Sequence, residues 1–240
     1  MKKFLLLLSL VGLVVTLQAQ DKVISDANAV KRSVKNFHAI QAGDGIDLYV
    51  SQGSEEAVAV SASKPEYRDK ITTVVEDGIL KIYYGPKSDW HFTFNSNRKL
   101  KAYVSFKTIE GLSGSGGSEV YVNGTIKVPK LKLSLSGGSD FKGAVETNDL
   151  NVDISGGSDV NISGKTVNLK IESSGGSDFK GYDLSSDICY ASGSGGADMQ
   201  VRVNKELSVH TSGGSDVFYK GNAVIRETRT SGGGSVSKRD

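Results

Sequence analysis

The sequence predicts an all-β protein: a right-handed, parallel β-helix or solenoid-like C-terminal part, residues 111–240, joined to an N-terminal β cap, residues 28–110. Three observations predict it. A glycine pair returns at Gly116, Gly137, Gly156, Gly175, Gly195, Gly213 and Gly232. The steps between these positions are 21, 19, 19, 20, 18 and 19 residues, or about 19 per coil. The residues before each pair alternate between apolar and polar, and no segment sustains a helical period. A unit this short cannot bury a core alone, so the units must stack and share one.

Each repeat carries two strands about its glycines. Six, four and two residues before successive pairs stand Leu131, Leu133 and Leu135, then Leu150, Val152 and Ile154, then Leu169, Ile171 and Ser173. Cys189, Ala191 and Gly193 follow, and then Leu207, Val209 and Thr211. This period of two marks a strand with one buried face, leaving Lys132, Asn151, Asp153, Lys170, Ser208 and His210 to solvent. A second, shorter strand starts after each pair at Val120, Phe141, Val160, Phe179, Met199 and Val217. Glycine suits the corner between them, where positive φ or a close backbone approach is needed. Burying some five side chains per coil, at about 1.5–3 kcal/mol each, is the term that holds such a stack. Cys189 falls in a slot otherwise filled by leucine, which makes it a buried, inert thiol.

The first half lacks the repeat but is rich in strands. Ile46–Val50, Ala57–Val60, Ile71–Val75 and Leu80–Tyr84 all read that way, and Asp77-Gly78 between the last two is a hairpin signal. A solenoid needs its open end covered, and this half is the expected cap.

Residues 1–19 read as a signal peptide: Lys2 and Lys3, an apolar run from Phe4 to Leu17, and a cut after Ala19. The run is shorter than the roughly 20 residues of a membrane span, so no transmembrane segment is expected after cleavage. Export through an inner membrane to the periplasm, the outer surface or the medium follows. A single cysteine excludes an internal disulfide framework. A formal charge of +2 without a basic block argues against nucleic acid as a partner.

These residues resemble a known family, the putative auto-transporter adhesin, head GIN domain group of exported bacterial proteins. The likeness is carried by Phe37-x-x-Ile40, Leu48-x-Val50, Asp77-Gly78-x-Leu80-x-Ile82 and the recurring Ser-Gly-Gly-Ser-Asp corners. It covers nearly the whole mature chain and departs at Gly221-Asn222-Ala223, where Gly-x-Pro is the pattern. The resemblance implies an all-β, solenoid-like fold, export, and a family frequent in Bacteroidetes-type organisms. It brings no catalytic motif.

Two constellations are candidates for binding. Asp140, Asp159, Asp178, Asp198 and Asp216, with Glu119, form an outward acidic row one coil apart. At about 5 Å in water such neighbours repel by only about 0.8 kcal/mol, so the row can stand without counterions. Calcium is the functional reading, by analogy with glycine- and aspartate-rich β-rolls. The plainer reading has each Ser and Asp bonding its own corner backbone. Secondly, Tyr83, Tyr84, Trp90, His91, Phe92 and Phe94 could make a sugar-stacking platform, with Tyr84, Trp90, His91 and Phe92 as the ligand-binding candidates. Alternation would instead bury half of them in the cap.

Catalysis finds little support. His38, His91 and His210 show neither metal spacing nor a partnered nucleophile. Asp153 with Asp187, or Arg202 with Arg226, could be cast as a groove site, but a solenoid of this composition offers such sets by chance. The expected function is an exported, non-enzymatic scaffold: an adhesin that binds a glycan or an envelope or host surface protein. A carbohydrate-active β-helix enzyme and a calcium-stabilised roll are the alternatives, and no cofactor other than calcium is implied. The oligomeric state is left open.

Overall fold

The computed structural model describes residues 26–85 and 97–240, so the expected signal peptide lies outside the described residues. The strands in chain order are β1 (Val30–Arg32), β2 (Ala39–Ala42), β3 (Asp47–Gln52), β4 (Ala57–Ser61), β5 (Ile71–Glu76), β6 (Ile79–Tyr84), β7 (Lys101–Phe106), β8 (Gly111–Ser115) and β9 (Glu119–Lys127). They continue as β10 (Lys130–Ser136), β11 (Asp140–Ile154), β12 (Asp159–Gly175), β13 (Asp178–Gly195), β14 (Asp198–Thr211), β15 (Asp216–Lys220), β16 (Val224–Thr230) and β17 (Ser235–Lys238). One four-residue helix, α1 (Pro65–Arg68), follows β4.

The chain is a β-solenoid. Asp140 of β11 pairs with Asp159 of β12, and Leu150 with Leu169, all in parallel and 19 residues apart. The face entering each glycine corner is built from β6, β2, β8, β10 and the second halves of β11 to β14, and ends at β16. The face leaving it is built from β7, β3, β9 and the first parts of β11 to β14, then β15 and β17. We call these the entry face and the exit face; a third face, such as Ala144–Thr147 of β11 on Ser163–Thr166 of β12, closes the coil.

The alternation that predicts the strands also builds the bore. Leu131, Leu150, Leu169, Cys189 and Leu207 form one internal ladder, each against the next, and all are buried. The exit-face ladder runs Leu48, Val120, Phe141, Val160, Phe179, Met199 and Val217. Where it holds phenylalanine, the next inward position is glycine (Gly143, Gly181); where it holds Val160, that position is Ile162. Close packing enforces the exchange, because volume added at one site must be removed beside it.

At the corners the first glycine does most of the work. Gly175 has φ of +79°, and a Cβ there would stand 2.7 Å from the carbonyl oxygen of Gly156 in the coil before. Its neighbour Gly176 has open space around that position. The following serine turns inward: Ser118, Ser139, Ser158, Ser177 and Ser215 are fully buried. Buried hydroxyls need partners, and Ser139 Oγ donates to Ser136 O at 2.9 Å, as Ser177 Oγ does to Ser174 O at 2.7 Å.

The first half supplies rungs as well as closure. β2 lies between β6 and β8, parallel to both, and β3 lies between β7 and β9. The corner Gly43-Asp44-Gly45 therefore stacks on Ser115-Gly116-Gly117. Asp44 takes the place of the first glycine and adopts its left-handed conformation, with φ of 60°. Beyond β7 lie antiparallel β4 and then β1. Beyond β6 lies antiparallel β5, returned by the Asp77-Gly78 turn with both residues at positive φ. Among the described residues no helix is long and apolar enough to cross a membrane.

Candidate functional site

A trough runs along the entry face beside the glycine corners. Its floor follows from the repeat: the residue before each glycine pair is serine, and the alternation points it outward. Ser115, Ser136, Ser155, Ser174 and Ser194 stack in one column along the axis. The outward column two residues earlier holds Gln41, Ser113, Ser134, Asp153, Glu172 and Ser192. Together they line a depression of about 570 Å³ that crosses several coils. Its polar groups repeat at the rung spacing of about 4.8 Å.

The far wall is charged. Lys132 Nζ lies 2.8 Å from Asp153 Oδ2, and Lys170 Nζ lies 2.7 Å from Glu172 Oε1. Beyond these pairs is a second hollow of about 460 Å³, lined by Lys130, Asn151, Asn168, Ile188 and Tyr190 among others. Tyr190 packs edge-on against His210, its hydroxyl 3.0 Å from His210 Nδ1, and His210 Nε2 stands 3.5 Å from Glu227. The two hollows of the entry face thus offer hydroxyls, amides, paired charges and the Tyr190 ring. Of this site sequence reasoning named only Asp153, because serine beside a glycine pair reads as turn chemistry until the coils are superposed.

The acidic row lies on the exit face, away from the trough. Glu119, Asp140, Asp159, Asp178, Asp198 and Asp216 pair coil upon coil, and Asp47 extends the row beside Glu119. Lys180 bridges two members, 3.0 Å from Asp159 and 3.4 Å from Asp178. Burial, then the Glu119 charge, raises the Asp47 carboxyl above the ordinary range. Burial, then Asp178 and Asp216, does the same to Asp198. Because the corner serines face the bore, a calcium ion here would have mainly carboxylate oxygens to draw on, against the six to eight oxygens it takes. Among the described residues no group of three or more His, Cys, Asp or Glu is arranged to hold a metal.

Next to that row, Tyr103, Tyr49 and Tyr121 form a stack with ring centroids 5.3 and 5.1 Å apart. Tyr103 donates to Asp26 at 2.8 Å and Tyr121 donates to Glu119. Burial, then the bond to Asp26, raises the Tyr103 hydroxyl. The bond to Glu119, then burial, pushes Tyr121 up to about 12. Of the aromatic candidates, Trp90, His91 and Phe92 lie outside the described residues. Tyr84 is half-buried at the end of β6, its N–H donating to Asp44 and its ring 4.6 Å from the Arg98 guanidinium.

The two sets cast as a groove site engage separate partners. Asp153 is in the trough with Lys132, while Asp187 pairs with Lys205 at 2.9 Å, a contact that holds its carboxyl low. Arg202 donates to Tyr182 O at 2.7 Å and Arg226 to Glu206 at 2.7 Å.

Comparison with known proteins agrees with this architecture. The sequence profile described as putative auto-transporter adhesin, head GIN domain matches residues 36–223. A crystal structure of a putative adhesin from Bacteroides fragilis superposes with a TM-score of 0.77 at 22% identity, covering 89% of this chain and 98% of that one. A putative adhesin from Parabacteroides distasonis gives 0.67 at 20% identity, over 88% and 96% of the two chains. A putative lipid binding protein from the same organism gives 0.64 at 19% identity, over 90% and 98%. No curated protein matches the sequence.

Proposed function

From the fact that this chain belongs to the putative auto-transporter adhesin, head GIN domain family, we propose that it is an exported, non-enzymatic binding protein whose entry-face trough holds an extended carbohydrate chain. The carrying observation is the trough itself: open at its sides, several coils long, and lined at each coil by outward hydroxyl or carboxylate groups. An extended glycan presents hydroxyls at a similar repeat and is matched by many modest hydrogen bonds rather than by one deep pocket. Asp153 and Glu172 are the strong acceptors for sugar hydroxyls, and Tyr190 offers a ring in the adjoining hollow. An acyl chain, which the name of one structural relative would suggest, fits poorly here because ion pairs and hydroxyls would be dehydrated without replacement.

A glycan array together with a pull-down on envelope extracts tests the proposal, using the wild type beside Ser155→Trp, which fills the trough without touching the bore. Binding of a polysaccharide class that Ser155→Trp abolishes is the expected result. No ligand in either assay, or binding indifferent to Ser155→Trp, removes this reading. Turnover of a polysaccharide that disappears in Asp153→Asn would favour an enzyme instead.

A further inference from the structure

The two ends of the stack are unlike. At the amino end the edge strands β6 and β7 are covered by antiparallel β5 and β4. At the other end, among the described residues, β16 pairs with β14 on one side only, and β17 with β15. The apolar ladders stop there in the open: Ile225 stands one coil beyond Leu207 and is 42% exposed, and its neighbour Val224 is 58% exposed. An uncovered edge of this kind is a template for another strand.

We propose that β16 is the contact of a closed, two-fold homodimer in which it pairs antiparallel with β16 of a second copy about Thr228. Three features select this occupant. First, Ser231 N–H donates to Thr211 O at 3.0 Å, so by alternation Arg229 bonds towards β14 while Thr228 and Thr230 direct their backbone groups to the open edge. Thr228 facing Thr228 is then a hydrogen-bonded pair. Secondly, this register places Glu227 opposite Arg229 of the other copy, twice, at the closer spacing of non-hydrogen-bonded pairs, about 4.5 Å between Cα atoms. Both residues already lie on the outer surface and pair within their own strand at 2.6 Å. Charges that only guarded the edge would meet like charges on pairing; these meet opposite ones.

Thirdly, the end of a coil is a ramp, and this ramp fits its own copy. On the exit face β17 stands one rung beyond β15, with Ser235 over Asp216, whereas the third face ends at the link between β15 and β16. A two-fold axis through Thr228 sets each raised β17 over the low third face of the other copy. The contact is isologous, so it closes after two chains and leaves both covered amino ends outward.

Light scattering on the chromatographed protein tests this, beside Thr228→Pro, Glu227→Arg, Arg229→Glu and the double charge exchange. The expected result is a wild-type mass of twice one chain, a two-fold fall in Thr228→Pro and in each single reversal, and recovery in the double exchange. Circular dichroism confirms that each variant remains folded. Thr228→Pro removes no bond to β14, but if it unfolds, the charge series decides alone. A monomeric wild type, or a dimer whose mass the folded variants leave unchanged, overturns the proposal.

Discussion

Phe179 occupies the space that a side chain on Gly181 would need: a Cβ on Gly181 would lie 2.3 Å from Phe179 Cε1. The two residues are successive inward positions of one rung, so the large ring and the missing side chain are a single packing solution. Gly181→Ala should cost about 1–3 kcal/mol, the usual range for overpacking. The cost should shrink in a Phe179→Val background, and a double-mutant cycle by urea denaturation measures that coupling. Equal costs in both backgrounds would mean that the clash lies elsewhere.

The glycine pair should prove unequal. Gly175→Ala meets both a left-handed backbone and the Gly156 carbonyl, and is expected to lose about 1–3 kcal/mol. Gly176→Ala meets neither and should stay within about 0.5 kcal/mol of wild type. Thermal melts of the two variants, run side by side, are sufficient.

The thiol of Cys189 should be silent until the coil opens. It is buried, and burial pushes it up to about 12. Iodoacetamide should leave the native protein unlabelled at neutral pH and label it fully in denaturant. Cys189→Ser should destabilise by about 1–3 kcal/mol, because the hydroxyl gives up water without a partner.

Asp47 gives a pH-dependent effect of determinate sign. Its folded-state carboxyl is raised by burial and by Glu119, so the ionised form weakens the fold at neutral pH. That cost is relieved as the pH falls through the raised value towards the ordinary 3.8. Asp47→Asn should therefore melt higher than wild type at pH 7, and the advantage should vanish in acid. An advantage that persists below pH 3.8 would assign the gain to something other than charge.

Much of the fold was legible because the repeat is local. The leucine ladder, the slot of Cys189 and the Asp77-Gly78 hairpin all follow from spacing within a few residues. The stacking of Gly43-Asp44-Gly45 on the corner at Gly116 did not follow. The matching rungs at Ala39 and Gly111 are 111 − 39 = 72 residues apart, with five strands between them, and Asp44 hides the glycine signature. Asp47 escaped the acidic row for the same reason. The trough was illegible in another way: its serines are obvious in the sequence, but a groove is a property of neighbouring coils, and no single coil contains one.

The placement of β2 and β3 between strands that come later has a consequence for how the protein is made. Ala39 meets Ile79 on one side and Gly111 on the other, so the first turn to be synthesised waits for partners 40 and 72 residues downstream (79 − 39 and 111 − 39). Early assembly is thus a clasp that shuts only when the chain through Asn123, opposite Ser51, is available. From that point each new turn needs only the one before it, and winding can proceed towards Lys238 in chain order.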